Sequence, residues 1–404
     1  MYINRHIEPV LLRLLTQFKC VLISGPRQVG KSTLAKNLKE AVPRKYISLD
    51  NMDYRFDAKT NPKLFLETHT PPVCIDEIQY APELFPYIKM IVDRNQRPGD
   101  YILIGSQIYG LMRGVSESLA GRAAILDLQG ISQSEEYGLP NREFLPDLNA
   151  YRDRRPSRGV TARDVFTRIF NGSMPDVVSG NVADVAAYYS SYVRTYLERD
   201  VRDLNVANEQ KFYRFITACA VRSGQILNVS NLARDADITL PSAQQWLNVL
   251  ETLGLIFYLY PYSNNLSKRV VKKPKLYFYD TGLVCYLSRW NGVEAMMTGA
   301  ASGALLETFV VSEIVKSYFN AGKRPYIYYY RDSDMKEIDL LVDAGQSLHP
   351  VEIKKASSVD RRIANTFKLI AKSGLNQGVG AVVCLNDGLS AIDRETLIIP
   401  VTAI

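Results

Sequence analysis

The chain has 404 residues, of which 47% are hydrophobic and 23% charged, and a formal net charge of +7. These values are typical of folded globular proteins and exclude an intrinsically disordered chain, and the length predicts two or three domains. No stretch approaches the roughly 18 uninterrupted apolar residues of a transmembrane helix, and the N-terminus lacks the pattern of a signal peptide. We therefore expect a cytoplasmic protein that does not enter a membrane.

The cysteines are scattered, at positions 20, 74, 219, 285 and 384, with no pair two or four residues apart. Zinc sites and disulfide frameworks use cysteines at close and regular spacings. We therefore expect reduced thiols in the core.

The first motif that carries chemistry follows a short apolar run, 19–23, which predicts a buried parallel strand. It has the form G-x-x-x-x-G-K-[ST], and its residues are Gly25, Pro26, Arg27, Gln28, Val29, Gly30, Lys31, Ser32 and Thr33. The glycines let the loop fold tightly so that its N–H groups face phosphates, and the next helix adds its positive N-terminal end. The motif predicts an ATP site in which Lys31 meets the β- and γ-phosphates and Ser32 binds Mg²⁺.

A second apolar strand, 72–75, ends at an acidic pair, Asp76 and Glu77. Carboxylates in this position can hold the magnesium shell and activate the attacking water. We predict that Asp76 orients Mg²⁺ and that Glu77 is the general base, which makes the chain an ATPase. The structural alternative for this pair is a helix cap or a solvated acidic corner.

Two more strands follow, at 101–104 and 124–128, and the alternation of strands and helices predicts a parallel sheet. The strand order, the acidic pair, Ser106 after the third strand and Arg122 before the fourth make residues 15–135 similar to an AAA+ ATPase core. The resemblance implies that Ser106 is sensor 1, which contacts the γ-phosphate or the attacking water. It also implies that Arg122 is an arginine finger in a homo-oligomer, although a salt bridge within its own subunit is the alternative.

Positive charge is concentrated in two runs, 152–158 and 268–275. Such clusters favour an anionic partner. The first run lies in a stretch, 150–168, that is interrupted by Pro156 and Gly159 and predicts an exposed connection. The second has five positive charges within eight residues, which suits contact with nucleic-acid phosphates, although most charge runs are solvated loops.

The middle of the chain is predicted to be helical. From the apolar spacing, helices lie at 192–204, 212–220, 231–236 and 241–253, and a β-rich segment lies at 255–260. The helices at 231–236 and 241–253 form a helix-turn-helix layout that, with the β segment, looks like a winged helix. Its second helix, Ser242 to Thr252, would offer Gln244, Gln245 and Asn248 to DNA base edges. Winged helices also bind proteins, so both kinds of partner stay open.

The second basic run opens the stretch K-R-x-x-K-x-P-K-x-Y-F-x-D-T-G-L, at 268–283. With the AAA+ core, this stretch is similar to the large prokaryotic family of ATPases that carry a DUF4143 domain. The resemblance covers nearly the whole chain, and this stretch is its most specific part.

The C-terminal region contains strands predicted at 326–331, 337–342 and 350–354. Asp339, Glu352 and Lys354 occur in the order typical of the PD-(D/E)xK nuclease fold, and Glu307 lies on an upstream helix. By that resemblance, Glu307, Asp339 and Glu352 hold a divalent metal, and Lys354 orients or deprotonates water. Such folds are also kept as inert binding platforms, so nuclease activity stays open.

Together these patterns predict an α/β protein. Its predicted parts are an AAA+ type ATPase domain at 1–140, a helical lid or linker region at 141–205, a winged-helix domain at 206–262 and a restriction-endonuclease-like domain at 263–404. We expect it to bind and hydrolyse ATP with Mg²⁺ and to act on DNA. One alternative is a metal-dependent DNA nuclease gated by ATP, and another is a nucleotide-dependent switch that binds proteins without touching DNA.

Overall fold

A computed structural model describes residues 2–39, 43–105, 118–157, 159–197, 208–263, 273–332, 334–374 and 376–404. It contains an N-terminal parallel sheet, a helical middle region with a small antiparallel sheet, and a C-terminal mixed sheet. Ser106, residues 198–204 of the helix predicted at 192–204, and residues 268–272 of the second basic run lie outside the described residues.

The N-terminal region is a parallel sheet with helices packed on it. Its strands are β1 (Cys20–Ser24), β2 (Lys45–Ser48), β3 (Val73–Asp76), β4 (Tyr101–Ile104) and β5 (Ala123–Asp127). Its helices are α1 (Glu8–Leu15), α2 (Lys31–Asn37), α3 (Met52–Thr60), α4 (Pro62–Thr68) and α5 (Leu84–Asn95), with a 3₁₀ turn at Ile78–Tyr80. The strand order is β2-β3-β4-β1-β5.

The strands β1, β3 and β4 are buried at every position. Helices cover both faces of such a sheet, so its central strands are continuous apolar runs, which is why the sequence located them within one residue. Because all five strands are parallel, their carboxyl ends meet at one edge. That edge brings the loop after β1 and the acidic pair after β3 together.

A set of short helices follows. They are α6 (Gln133–Glu136), α7 (Leu148–Tyr151), α8 (Ala162–Asn171), α9 (Pro175–Val178) and α10 (Val185–Tyr192), which continues as a π-helical turn at Val193–Leu197. The prediction of an exposed connection at 150–168 is wrong at its end, because Val165, Phe166 and Arg168 in α8 are buried. Apolar residues at helical spacing were hidden among arginines, and Thr161 begins the helix with a capping box.

In and just after the region predicted to be a winged helix, the described residues form three helices and three short strands. They are α11 (Glu209–Val221), β6 (Gln225–Ile226), α12 (Val229–Asp235), α13 (Leu240–Thr252), β7 (Ile256–Leu259) and β8 (Lys275–Phe278). The three strands form an antiparallel sheet of order β6-β8-β7. This sheet therefore takes strands from both sides of the limit predicted at residue 262.

The C-terminal region surrounds one long, mostly buried helix. Its helices are α14 (Thr281–Leu287), α15 (Val293–Thr298), α16 (Ser302–Phe319) and α17 (Ala364–Phe367), with 3₁₀ turns at Arg361–Ile363, Lys368–Ser373 and Val401–Ala403. Its strands are β9 (Ile327–Arg331), β10 (Glu337–Asp343), β11 (Ser347–Lys354), β12 (Asn376–Gln377), β13 (Gly380–Cys384), β14 (Ser390–Asp393) and β15 (Thr396–Pro400). The sheet has the order β14-β15-β13-β11-β10-β9, and β12 pairs with β11.

The regions are joined by a shared apolar core and by polar contacts. Gln133 Nε2 donates a hydrogen bond to Val401 O at 2.8 Å, and Ser134 Oγ donates to Ile404 O at 2.9 Å. The backbone N–H of Gln133 donates to Glu313 Oε2 on α16 at 2.7 Å. The segment after β5 is thus fixed to the C-terminal region.

Two general features complete the fold. Every cysteine is buried as a thiol. Within the described parts of the chain, no helix combines the length and apolar character needed to cross a bilayer.

Candidate nucleotide site and C-terminal acidic cluster

The loop between β1 and α2 needs glycine at both glycine positions of its motif, 25 and 30. Gly25 has φ 148° and Gly30 has φ 92°, values that other residues rarely adopt. A Cβ at Gly25 would lie 2.0 Å from the carbonyl oxygen of Leu128, so any larger residue would clash with the backbone after β5. The tight loop that the motif predicts is therefore present.

Lys31 lies inside this loop and is 6% exposed. Its Nζ donates to the carbonyl oxygens of Gly25 at 2.8 Å and Pro26 at 2.6 Å. An ammonium held at the start of α2 is placed to meet phosphate oxygens that approach the helix N-terminus. Among the other loop residues, Pro26 and Val29 are buried, Arg27 is half-buried and Gln28 is exposed.

Ser32 and Asp76 lie together, as the predicted magnesium site requires. Ser32 Oγ donates to Asp76 Oδ2 at 2.7 Å. A hydroxyl and a carboxylate are the hard oxygen ligands that Mg²⁺ prefers beside substrate phosphates, so these residues fit the ion. The sheet brings them together, because Asp76 ends β3, Ser32 follows β1, and β4 lies between these two strands.

Tyr46 is a member of this site that the sequence did not reveal. Its hydroxyl donates a hydrogen bond to the same oxygen of Asp76. Burial, followed by the bond to Asp76, raises the pKa of the Tyr46 phenol, so the hydroxyl stays protonated and remains a donor. Its only sequence signal is its place on β2, which pairs with β3 so that Ser48 faces Asp76.

Glu77 follows Asp76 in a left-handed conformation, with φ 54° and ψ 43°. Such backbone conformations are uncommon outside glycine and concentrate at functional sites. The Glu77 N–H donates to Asp76 Oδ1 at 3.0 Å, and Gln79 Nε2 donates to Glu77 Oε2. The carboxylate of the predicted base is therefore held in one orientation by Gln79.

Arg122 is placed in an ion pair within its own chain. Its Nε lies 2.6 Å from Asp93 Oδ1 and its Nη2 lies 2.9 Å from Asp93 Oδ2, a bidentate contact to α5. The hydrogen bonds from Arg122 lower the pKa of the Asp93 carboxyl. This is the alternative that the sequence left open beside the arginine finger, and the finger role stays a prediction.

A cavity of about 300 Å³ adjoins the phosphate loop at Gly30 and Thr33. Tyr2 and Pro175 line it from the N-terminal segment and α9. Arg5 holds the N-terminal segment against the loop, because its Nη1 donates to Val29 O at 2.8 Å. The cavity is large enough for a nucleotide base.

The helical and winged-helix regions also reach the phosphate loop. Tyr188 OH on α10 donates to Gln28 Oε1 at 2.6 Å. A Cβ on Gly254, just after α13, would lie 3.1 Å from the Pro26 ring. Both regions therefore lie against the phosphate loop.

Two predicted residues of the C-terminal site lie beside Lys354. Its Nζ is 2.5 Å from Glu352 Oε2 and 3.5 Å from Asp339 Oδ2. Asp339 Oδ2 also accepts from the N–H of Ile353 at 2.8 Å. Burial, followed by the neighbouring Asp339 carboxylate, raises the pKa of Glu352 to about 8.

Glu307, the predicted helix acid, is held by two residues of β8. Its Oε1 accepts from Lys275 Nζ at 3.0 Å and from Tyr277 OH at 2.6 Å. Lys275 Nζ also lies 2.6 Å from Glu337 Oε1. The predicted phosphate contact is therefore wrong for Lys275, whose side chain is 5% exposed and fully engaged by carboxylates.

This geometry does not fit the divalent metal that a nuclease fold implies. A lysine ammonium lies between Glu307 and Glu337, and another lies between Asp339 and Glu352. Within the described residues, no three His, Cys, Asp or Glu side chains are grouped so as to hold a metal ion. The three predicted ligands lie near one another, but each contacts a lysine: Glu307 contacts Lys275, and Asp339 and Glu352 contact Lys354.

Comparisons with known proteins match three parts of this chain to domain families. Family models match at residues 17–137 (AAA domain), 162–294 (Domain of unknown function DUF8612) and 302–404 (Domain of unknown function DUF4143). Uncharacterized proteins Rv2008c of Mycobacterium tuberculosis and Mb2031c of Mycobacterium bovis are each 30% identical over 351 residues, covering 86% of this chain and 73% of theirs. The chain belongs to the family of AAA-type P-loop ATPases with a C-terminal DUF4143 domain.

Solved structures that resemble this chain are more distant. The Walker-type ATPase PABY2304 of Pyrococcus abyssi is 15% identical, with a TM-score of 0.46 over 71% of this chain and 96% of that chain. AMPPCP-bound DnaA from Aquifex aeolicus is 13% identical, with a TM-score of 0.30 over 61% of this chain and 85% of that chain.

The D-T-G-L part of the stretch at 268–283 has a structural role. Asp280 Oδ1 accepts from Tyr189 OH and from the N–H of Leu283, each at 2.7 Å. Its Oδ2 accepts from the N–H of Ser173 at 2.7 Å. A Cβ at Gly282 would lie 2.4 Å from the Tyr189 hydroxyl. These buried residues join α10 and α14.

The predicted DNA-reading face lies on α13. Gln244, Gln245 and Asn248 are all exposed. The opposite face of the helix is buried, with Trp246 and Leu250 in the core. The helix therefore presents a polar face to solvent.

Proposed function

We propose that this chain binds and hydrolyses ATP with Mg²⁺ at the loop between β1 and α2, and that it uses the cycle to act on DNA. The observation that carries the ATPase proposal is the contact of Ser32 with Asp76 beside a buried Lys31. Two elements at the sheet edge, α2 and β3, thus present the ammonium, hydroxyl and carboxylate groups that a nucleoside triphosphate and its metal require.

Each residue has a proposed role. The backbone N–H groups of the loop bind the phosphates, and Lys31 stabilises charge on the β- and γ-phosphates. Ser32 and Asp76 would hold Mg²⁺, which neutralises phosphate charge when bound. Glu77 would orient and deprotonate the attacking water, with Ser106 as sensor 1.

The direct test is ATP hydrolysis by the wild type and by Lys31→Ala and Glu77→Gln. Both variants should lose at least about 100-fold in turnover, because each removes a group that acts in the transition state. Lys39→Ala, an exposed lysine after α2, is the matched control and should retain activity. Glu77→Gln should still bind a fluorescent ATP analogue. A wild type that binds ATP without turnover would favour the nucleotide-dependent switch.

Action on DNA is proposed from the exposed polar face of α13. Binding of duplex, single-stranded and branched DNA should be measured by anisotropy at several salt concentrations, since phosphate contacts weaken as salt rises. The variant Gln244→Ala/Gln245→Ala/Asn248→Ala should bind DNA at least about 10-fold more weakly, because it removes the groups that contact bases. Gln225→Ala, an exposed glutamine on β6, is the control. Absence of salt-dependent binding would instead support a protein partner.

The division of roles is a proposal that follows the predicted limits except at residue 262, because β8 belongs to the same sheet as β6 and β7. ATP binding is assigned to residues 1–140, the role of a lid to residues 141–205, and contact with DNA to residues 206–262. The region 263–404 completes the winged-helix sheet with β8 before it forms the nuclease-like sheet.

A further inference from the structure

The acidic cluster, defined as Glu307, Glu337, Asp339 and Glu352, is built from three elements, α16, β10 and β11. In a nuclease-like fold such carboxylates surround a divalent cation. Here every one of them contacts a basic side chain. Those side chains are Lys275, Arg331 and Lys354.

Lys275 differs from the other two because it comes from another sheet. It lies on β8, which pairs with β6 and β7 in the winged helix. Its Nζ is 3.0 Å from Glu307 Oε1 and 2.6 Å from Glu337 Oε1. Tyr277, two residues along the same strand, donates to Glu307 at 2.6 Å. Both contacts therefore bridge the winged-helix sheet and the nuclease-like region.

We infer that Lys275 takes the place of a divalent cation in the acidic cluster, so that the cluster fastens β8 to the nuclease-like region and is not a metal-dependent nuclease site. The inference is independent of ATP binding, since none of these residues lies at the nucleotide loop. It also accounts for the lysine and tyrosine of the K-x-Y part of the chain's most specific stretch.

The contact distances favour this arrangement over a metal site. A cation that bound Glu307 and Glu337 would have to displace an ammonium that already lies within hydrogen-bond distance of both. The displaced lysine would then be left inside the protein, because its side chain is only 5% exposed. Burial of an unpaired charge is strongly unfavourable, which opposes exchange for a metal.

The first test measures Mn²⁺ binding to the full chain without nucleotide, by electron paramagnetic resonance. Asp76→Asn, which alters the proposed nucleotide-site ligand, and Asp339→Asn, which alters the cluster, are measured in parallel. We expect no Mn²⁺ to bind at the acidic cluster, so the amount of bound Mn²⁺ should be the same in Asp339→Asn and in the wild type. A stoichiometric Mn²⁺ that is lost in Asp339→Asn and kept in Asp76→Asn would overturn the inference, as would DNA cleavage that Asp339→Asn abolishes.

The second test compares thermal unfolding of Lys275→Met and Lys273→Met. Lys273 is an exposed lysine two residues earlier, so the chemical change is the same. Lys275→Met should lower Tm by roughly 5 °C or more, because buried carboxylates lose their partner, and Lys273→Met should change it little. Adding Glu307→Gln to Lys275→Met should restore part of the loss. Equal Tm values for the two methionine variants would contradict the bridging role. If Lys275→Met is insoluble while Lys273→Met folds, the bridging role of Lys275 is supported. Mn²⁺ binding by the wild type then still tests whether the cluster is a metal site.

Discussion

Tyr46 donates a hydrogen bond to Oδ2 of Asp76, the oxygen that also accepts from Ser32 at 2.7 Å. Two donors on one oxygen fix the orientation of the carboxylate that would face Mg²⁺. Partners of this kind, one step removed from the metal, commonly affect metal affinity by about 10-fold or more. Tyr46 is therefore expected to position Asp76 rather than to contact the nucleotide.

Tyr46→Phe should raise the Mg²⁺ concentration for half-maximal ATP hydrolysis by roughly 10-fold and change kcat at saturating Mg²⁺ much less. The measurement is a Mg²⁺ titration of the steady-state rate. Tyr87→Phe, which removes a hydroxyl from α5, is the matched control. An unchanged Mg²⁺ requirement in Tyr46→Phe would show that Asp76 keeps its orientation without the hydroxyl.

Gln79 should matter for turnover and not for ATP binding. It donates to the carboxylate of Glu77, whose left-handed backbone already restricts it. Gln79→Ala should lower kcat by about 10-fold, because a general base works only within hydrogen-bond reach of its water. The Kd of a fluorescent ATP analogue should stay within about two-fold of the wild type. Gln17→Ala, at an exposed position after α1, serves as control, and a rise in Kd without loss of kcat would contradict this assignment.

The sequence located features whose signal is local. The strands β1, β3 and β4 are unbroken apolar runs, and the phosphate loop is a motif of fixed spacing, so both were predictable. Tyr46 was not, because its role depends on β2 lying beside β3, a contact between distant parts of the chain. Lys275 was misassigned because a lysine in a basic run looks the same whether it is solvated or buried against Glu307. Local sequence patterns thus predict helices and strands better than they predict which charged side chains contact each other.

Arg122 and Asp93 provide a test of subunit assembly. If the ion pair within the chain is their main role, Arg122→Ala and Asp93→Asn should each change ATP turnover by less than about three-fold, since exposed ion pairs contribute little. If Arg122 is an arginine finger, Arg122→Ala alone should cost about 1,000-fold, and the wild-type rate per chain should rise with chain concentration. Steady-state rates at several protein concentrations separate the two, and only the second outcome supports the predicted homo-oligomer.

The histidines predict a loss of stability in mild acid. Burial lowers the pKa of His6, His69 and His349, with nearby Lys45 as a further cause for His69. Below the ordinary histidine pKa of about 6.5, the unfolded chain therefore binds more protons than the folded chain, so stability falls as pH decreases through this range. Glu352 acts in the opposite direction, because its pKa is raised to about 8 and the folded chain therefore binds its proton more tightly than the unfolded chain does in this range. The histidine contribution is therefore measured as a difference between variants. His349→Gln cannot gain the imidazole charge, so its Tm at pH 5.5 relative to pH 7.5 should be higher than that of the wild type. The same pH dependence of Tm in both proteins would contradict a contribution from His349.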